Sequence, residues 1–293
     1  MNKKSLLLGV FSILFGLSAH AQINFGEKAL GAVQKGMVGF TFSDADAAAL
    51  SKPAVDKMDA ENKVAEPTDP YAVRLARVFG KYTKGEFYTL NYKVYLTKDV
   101  NAFATADGSV RVFSGLMDIM DDNELIAVIG HEIGHVHNHD SRDAMKALYQ
   151  KEALIDAASS QSVKVAAITD SQLAKIGSAM IDSKHSRKQE SEADLFAYDF
   201  MKKNGYDVNA EESAFRILAK MNEGTQSSFI DQMMSSHPDS KLRADNAKAR
   251  AEKDGLYKLY VQKPIVNTLP KPATTTVKKT TTTKKKTTTA KKK

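Results

Sequence analysis

The sequence contains no cysteine. That excludes a disulfide framework, a thiolate metal site, a thiol nucleophile and a lipid-modified N-terminal cysteine. An oxidising compartment is tolerated but not exploited, and a body of this size has core enough to fold without staples. Long apolar runs are missing too. The run from Leu6 to Leu17 is shorter than the about 20 residues a membrane-spanning helix needs, and no later stretch reaches about 18. The mature chain is therefore expected to be soluble, with no transmembrane segment. No internal repeat is visible. Acidic residues are absent from Lys271 to Lys293, a stretch holding nine lysines. Subtracting those nine from the net charge of +7 leaves −2, and losing Lys3 and Lys4 as well leaves −4. The body is mildly acidic, so nothing outside the tail suggests the basic patch that specific nucleic-acid binding needs.

At the other end, Met1-Asn2-Lys3-Lys4, the short apolar run and Ala19-His20-Ala21 are the three parts of a secretory signal peptide over residues 1–21. An uncleaved anchor is the alternative. Export across the inner membrane, with two membranes assumed, places the product in the periplasm. Residues 264–293 read as a disordered Thr/Lys-rich basic tail, entered through Pro264, Pro270 and Pro272. Such a tail serves as a solubilising extension, or as an electrostatic tether to acidic envelope polymers or lipid headgroups.

Between these ends the pattern predicts an α+β fold: a helical segment at 22–67, then a mainly helical domain at 68–263 with a small sheet of about three strands. Ser43-x-x-Asp46 predicts a capping box opening a short helix that Lys52-Pro53 interrupts. Asp69-Pro70 opens a second helix. Leu90–Leu96 alternates as a half-buried strand. Asn101–Thr105 and Val110–Ser114 flank Asp107-Gly108, a hairpin signal. From Gly115 to about residue 260 nearly everything reads as helix.

The chemistry is concentrated on one of those helices. With Asp122 as N-cap, it leads through Leu125, Val128 and Ile129 to His131-Glu132-Ile133-Gly134-His135. Imidazoles four residues apart share a helix face and can meet one zinc ion, with Glu132 placed to take a proton from water. A catalytic zinc wants a third protein ligand. A third histidine six residues after His135 is ruled out by Ser141, and Asn138 stands where a glycine would be needed. His137 and His139 cannot both join the same face and read as surface groups or as supports behind a metal ligand. The better source is Glu190-Ser191-Glu192-Ala193-Asp194, which opens another amphipathic helix, ending at Gly205. Glu190 and Asp194 are one turn apart, so one can bind metal while the other accepts a hydrogen bond from a ligand imidazole. Spacing alone leaves Glu190 and Glu192 as alternatives, and His237 reads as a loop histidine.

These residues carry a resemblance. Asn101-Ala102-Phe103-Ala104, Val112-Phe113-Ser114-Gly115-Leu116, Asn123-Glu124-Leu125 and the His131–His135 motif are followed by Ser186-Arg187, Glu190–Asp194, Ser236-His237-Pro238 and Arg243. Over about residues 68–250 the chain resembles the zinc metallopeptidases that include HtpX, the CAAX prenyl endopeptidases and the periplasmic BepA and LoiP proteins. The resemblance implies one zinc per chain, with Glu190 as third ligand beside His131 and His135, and Asp194 as hydrogen-bond partner of a ligand. It implies His237 near the substrate carbonyl, Arg243 supporting that loop, and Asn101–Ala104 as an exposed edge strand where an extended peptide pairs. It also implies cleavage of misfolded or misassembled envelope polypeptides. The chain departs from its membrane-embedded relatives in lacking their transmembrane helices, and from part of the soluble branch in lacking an anchor cysteine and a tetratricopeptide-type domain. The rival expectations are a zinc-containing chaperone-like protein and an envelope-binding module whose tail is the working part.

Overall fold

The computed structural model describes residues 42–85, 88–148, 169–223 and 229–267. The expected signal peptide and nearly all of the expected tail lie outside them. Helix α1 (Asp44–Glu61) starts at a Ser43 capping box and α2 (Pro70–Phe79) at Asp69, with proline at its first position. The sheet follows: β1 (Asn91–Tyr95), β2 (Ala102–Ala104) and β3 (Ser109–Phe113). Then come α3 (Ser114–Ile119), α4 (Asp122–His137), α5 (Asp170–Asp182), α6 (Arg187–Lys203), α7 (Asn209–Asn222), α8 (Asp231–Ser236) and α9 (Ser240–Lys253). This is the α+β architecture expected, with three strands in the order β1-β3-β2, β1 parallel and β2 antiparallel to β3. Asp107-Gly108 makes the β2–β3 turn, with Gly108 at φ +83°, a left-handed conformation that glycine adopts freely.

Two local expectations are corrected. Helix α1 runs straight through Pro53 instead of stopping there. The face it buries, Leu50, Ala54, Val55 and Met58, continues on both sides of the proline, so packing outweighs one lost helical hydrogen bond. The N-cap of α4 is Asp121, not Asp122. Asp121 accepts from the backbone of Asn123 and Glu124, while Glu124 accepts from the Asp121 N–H, and this reciprocal box sets the helix start one residue earlier.

Helix α4 is the centre of the molecule. Leu125 to Ile129 are all buried, as befits a helix apolar on every side, and it packs against α6, α7, β2 and β3. Its face toward α6 is cut back to glycine. A Cβ on Gly130 would lie 3.4 Å from Ala197, and one on Gly134 only 3.0 Å from the Ala193 backbone. Gly130 and Gly134 against Ala193 and Ala197 thus bring the two helices together, and Glu190 and Asp194 lie on the same stretch of α6. After α9 the chain turns at Gly255 (φ +68°) and crosses the start of α4 as an irregular strap. The contacts of Asn267 with Arg74 and Met117 carry the folded body to residue 267.

Candidate active site

Three helices deliver the polar groups to one buried point. His131 and His135 come from α4 and Glu190 from α6, and His237 follows directly after α8; all four are buried. The ring nitrogens that face inward meet closely. His131 Nε2 lies 3.0 Å from His135 Nε2 and 3.2 Å from His237 Nδ1. Glu190 oxygens lie 3.4 Å from His135 Nε2, 3.5 Å from His131 Nε2 and 3.0 Å from His237 Nδ1. Glu192, the alternative to Glu190, is half exposed and pairs with Lys188.

Each helix histidine is held from behind by a carboxylate. His131 Nδ1 is 2.8 Å from Asp194 Oδ1 and His135 Nδ1 is 2.8 Å from Asp140 Oδ2. An ionised carboxylate only accepts, so both Nδ1–H groups donate, and both Nε2 atoms are turned toward the same point. Gln189 donates to the other oxygen of Asp140 at 2.8 Å. Arg243, stacked 4.0 Å over Phe215, donates to Asp194 and reaches Glu190 Oε2 at 2.8 Å. It therefore braces the two carboxylates as well as standing near the His237 loop.

The electrostatics favour a cation at this point. Burial, aided by the Arg243 charge, holds His131 well below the usual histidine range and so neutral. Burial pulls His135 the same way, but Asp140, Glu190 and Glu132 outweigh it and raise the group to about 9. Burial alone would raise Glu190, yet His131, His135, His237 and Arg243 hold it well below the carboxylate range. Two Nε2 atoms 3.0 Å apart repel unless a positive charge, the extra proton of His135 or a metal ion in its place, lies between them. Glu132 Oε1 is buried without a hydrogen-bond donor, and Glu190 Oε2 has the Arg243 guanidinium beside it. Two imidazoles and a carboxylate, beside an unsatisfied Glu132 oxygen, are a donor set that fits a divalent metal ion. Glu132, between the two histidines in sequence, is raised by burial, and its Oε1 is 3.5 Å from His237 Nε2.

An open-sided cleft of about 560 Å³ leads to Glu132 and His135 along β2. Here the expectation of an exposed edge strand is corrected. β2 is at the sheet edge, but Asn101, Ala102 and Phe103 are buried and Ala104 half-buried. Phe103 packs with Val55, Met58 and Tyr95, while Met180 and Ile181 of α5 cover that cluster. The covered strand forms one wall of the cleft.

Three contributors escaped the sequence reading. Asp140 sits behind His135 because His139 takes φ +65° and turns the chain back after the helix; the only signal was a carboxylate just beyond the motif. Gln189 was masked by its acidic neighbours. His185 stacks on His135, ring centroids 3.7 Å apart, with its backbone N–H donating to the Ser236 carbonyl. Burial and its neighbours His135 and His237 push it down to about 3, so it is neutral. His137 packs against Phe196 and His139 pairs with Asp44 at 2.8 Å, both away from the cluster.

A buried donor set that fits a metal ion, beside a further carboxylate and in an α+β frame with an open cleft, is the equipment of a metallopeptidase. Residues 74–251 match peptidase family M48. Metalloprotease YcaL of Escherichia coli K12 is 43% identical over 213 residues, which is 72% of this chain and 82% of that protein. Metalloprotease LoiP of the same organism is 40% identical over 220 residues, 74% and 85% respectively. A putative beta-barrel assembly-enhancing protease of Vibrio cholerae is 30% identical over 161 residues, 53% of this chain and 33% of that one. The chain belongs to peptidase family M48, on the branch with LoiP, and is a metalloendopeptidase that uses a metal cofactor and acts on polypeptides. Among the described residues no helix is long and apolar enough to cross a membrane.

Proposed function

We propose that this protein is a zinc-dependent endopeptidase of the bacterial cell envelope, acting on misfolded or misassembled proteins. The observation that carries the reading is the pair of Nε2 atoms 3.0 Å apart, with Glu190 oxygens at 3.4 and 3.5 Å. His131, His135 and Glu190 hold one zinc ion, which when bound supplies Lewis acidity to water and to the scissile carbonyl. Glu132 takes the proton of the attacking water and returns it to the leaving amine. Its burial, which raises its affinity for a proton, suits it to that exchange. Asp194 and Asp140 fix the ring orientation of the two histidines, and Arg243 braces Asp194. His237 donates to the developing oxyanion, and an extended peptide runs along the cleft wall that Ala102–Ala104 form. Residues 1–21 act as a signal peptide, and the name of the Vibrio cholerae relative, a protease enhancing β-barrel assembly, supports an envelope setting.

One observation favours a second reading of the resting state. His237 Nδ1 already sits among the donors, where a fourth ligand would stand. In that state His237 must swing aside before water enters, and the protein is self-inhibited. A zinc-containing chaperone-like protein would keep the same geometry permanently. Chelation of the purified protein followed by one equivalent of zinc tests the reading. Casein cleavage is expected to vanish and return, and if it is indifferent to chelation the proposal fails. His237→Ala separates the two states, since relief of self-inhibition raises cleavage and loss of an oxyanion donor lowers it.

A further inference from the structure

We propose that His185 binds the substrate, its ring donating a hydrogen bond to a main-chain carbonyl of the peptide beside the scissile bond. This contact rests on the peptidase reading of the same cleft. His185 lies on the short link between α5 and α6, and the metal site fixes its backbone from both sides. The next residue, Ser186, closes a reciprocal cap with Gln189, directly before Glu190. The backbone N–H of His185 itself donates at 3.3 Å to the carbonyl of Ser236, directly before His237. The ring is held as firmly. Its centroid is 3.7 Å from that of His135 with the planes 13° apart, and 5.3 Å from that of His237 with the planes 26° apart.

A ring so ordered would ordinarily spend its N–H on a protein acceptor. Among the described residues neither ring nitrogen of His185 has a hydrogen-bond partner. The oxygens of nearby Asp140 are taken by His135 and Gln189. An imidazole carries an N–H in every protonation state, so the unused donor does not depend on pH. It belongs to the cleft, which His185 lines together with Glu132, His135, His237 and the Ala102–Ala104 wall. The other polar groups of that lining are committed. The hydroxyls of Ser51, Thr105, Ser141 and Ser183 donate to Ala47, Asp107, Ala104 and Ala179. His135 and His237 belong to the donor cluster. Among the described lining residues, His185 is therefore the side-chain donor left for a ligand. The lining has no charged side chain except Glu132, so a charged side chain of the substrate meets no partner there. Recognition falls on main-chain groups, which any extended polypeptide presents.

The test titrates fluorescein-labelled casein against the full-length, zinc-loaded Glu132→Gln protein, with and without His185→Phe. Phenylalanine keeps a ring against His135 but has no N–H. The Kd for casein is expected to rise roughly fivefold, the worth of one hydrogen bond, while each chain keeps one zinc. With Glu132 in place, KM should rise by the same factor and kcat should hold, the mark of a contact made equally before and during reaction. His185→Asn and His185→Gln put an amide N–H near the places of Nδ1 and Nε2, and at least one of them should recover most of the affinity. The proposal is overturned if His185→Phe binds casein as tightly as its parent, or if the parent binds none. It is also overturned if affinity falls only together with zinc content, which is the result of a ring that merely supports His135, or if neither amide restores binding. Casein binding that responds to His185 in a wild type that cleaves nothing would keep this contact and remove the peptidase reading.

Discussion

Gly134 faces Ala193 so closely that a Cβ on the glycine would lie 3.0 Å from both the Cα and the carbonyl oxygen of Ala193. Those contacts are backbone and cannot rotate away. Gly134 belongs to the helix that carries His131 and His135, and Ala193 to the helix that carries Glu190 and Asp194, so this one contact sets how near the donors come.

Gly134→Ala is therefore expected to cost about 1–3 kcal/mol through overpacking and to weaken metal binding by moving Glu190 away from the histidines. Gly130→Ala, one turn earlier, places its methyl 3.4 Å from Ala197 in ordinary contact. Helix propensity should then dominate, worth up to about 1 kcal/mol and a rise of about 2–4 °C in Tm. Thermal unfolding and zinc titration of both variants check this, and equal behaviour of the two would contradict it.

Two His–Asp pairs share a 2.8 Å separation but differ in what lies beyond the ring. His135–Asp140 backs the donor cluster, whereas His139–Asp44 lies outside it. Asp140→Ala is expected to lower zinc affinity by about 10–100-fold, while Asp44→Ala leaves it unchanged. Competition with a chromophoric chelator measures both.

Asp59 ties α1 to the sheet. Its carboxylate, 11% exposed, accepts from Arg111, which is 2% exposed, at 2.7 Å. Burial raises its pKa, but Arg111, Lys93 and Tyr95 together outweigh that and hold it at about 2. A depressed folded-state pKa contributes stability above the unfolded value and loses it as pH falls through the folded one. About 2 kcal/mol should therefore be present above pH of about 4 and fade by pH of about 2. Tm of wild type and Asp59→Asn across this range should converge at the acid end; a constant gap would contradict the assignment.

What was legible in the sequence was what local chemistry encodes. The reciprocal cap at Ser43, the Asp107-Gly108 turn and the face shared by His131 and His135 all depend on residues within four positions of each other. What was not legible depends on distant packing. Nothing local pairs β1 with β3 across the intervening β2, or buries Phe103 under Met180. The choice between Glu190 and Glu192 needed the register of α6 on α4, which the glycine–alanine contacts supply. Asp140 needed the left-handed turn at His139, and His185 needed the loop that its backbone N–H ties to Ser236. The capping position of α4 was off by one because Asp121 and Asp122 both suit an N-cap, and only Asp121 has Glu124 three residues on.

The most direct test of the central claim compares residues 22–293 with Glu132→Gln, measuring casein cleavage and bound zinc on the same samples. Glu132 is expected to act on water's proton, with zinc held by His131, His135 and Glu190. The variant should then bind one equivalent of zinc, as wild type does, while cleavage falls by about a thousandfold or more. A variant that cleaves like wild type, or a wild type that holds no zinc, would contradict the account.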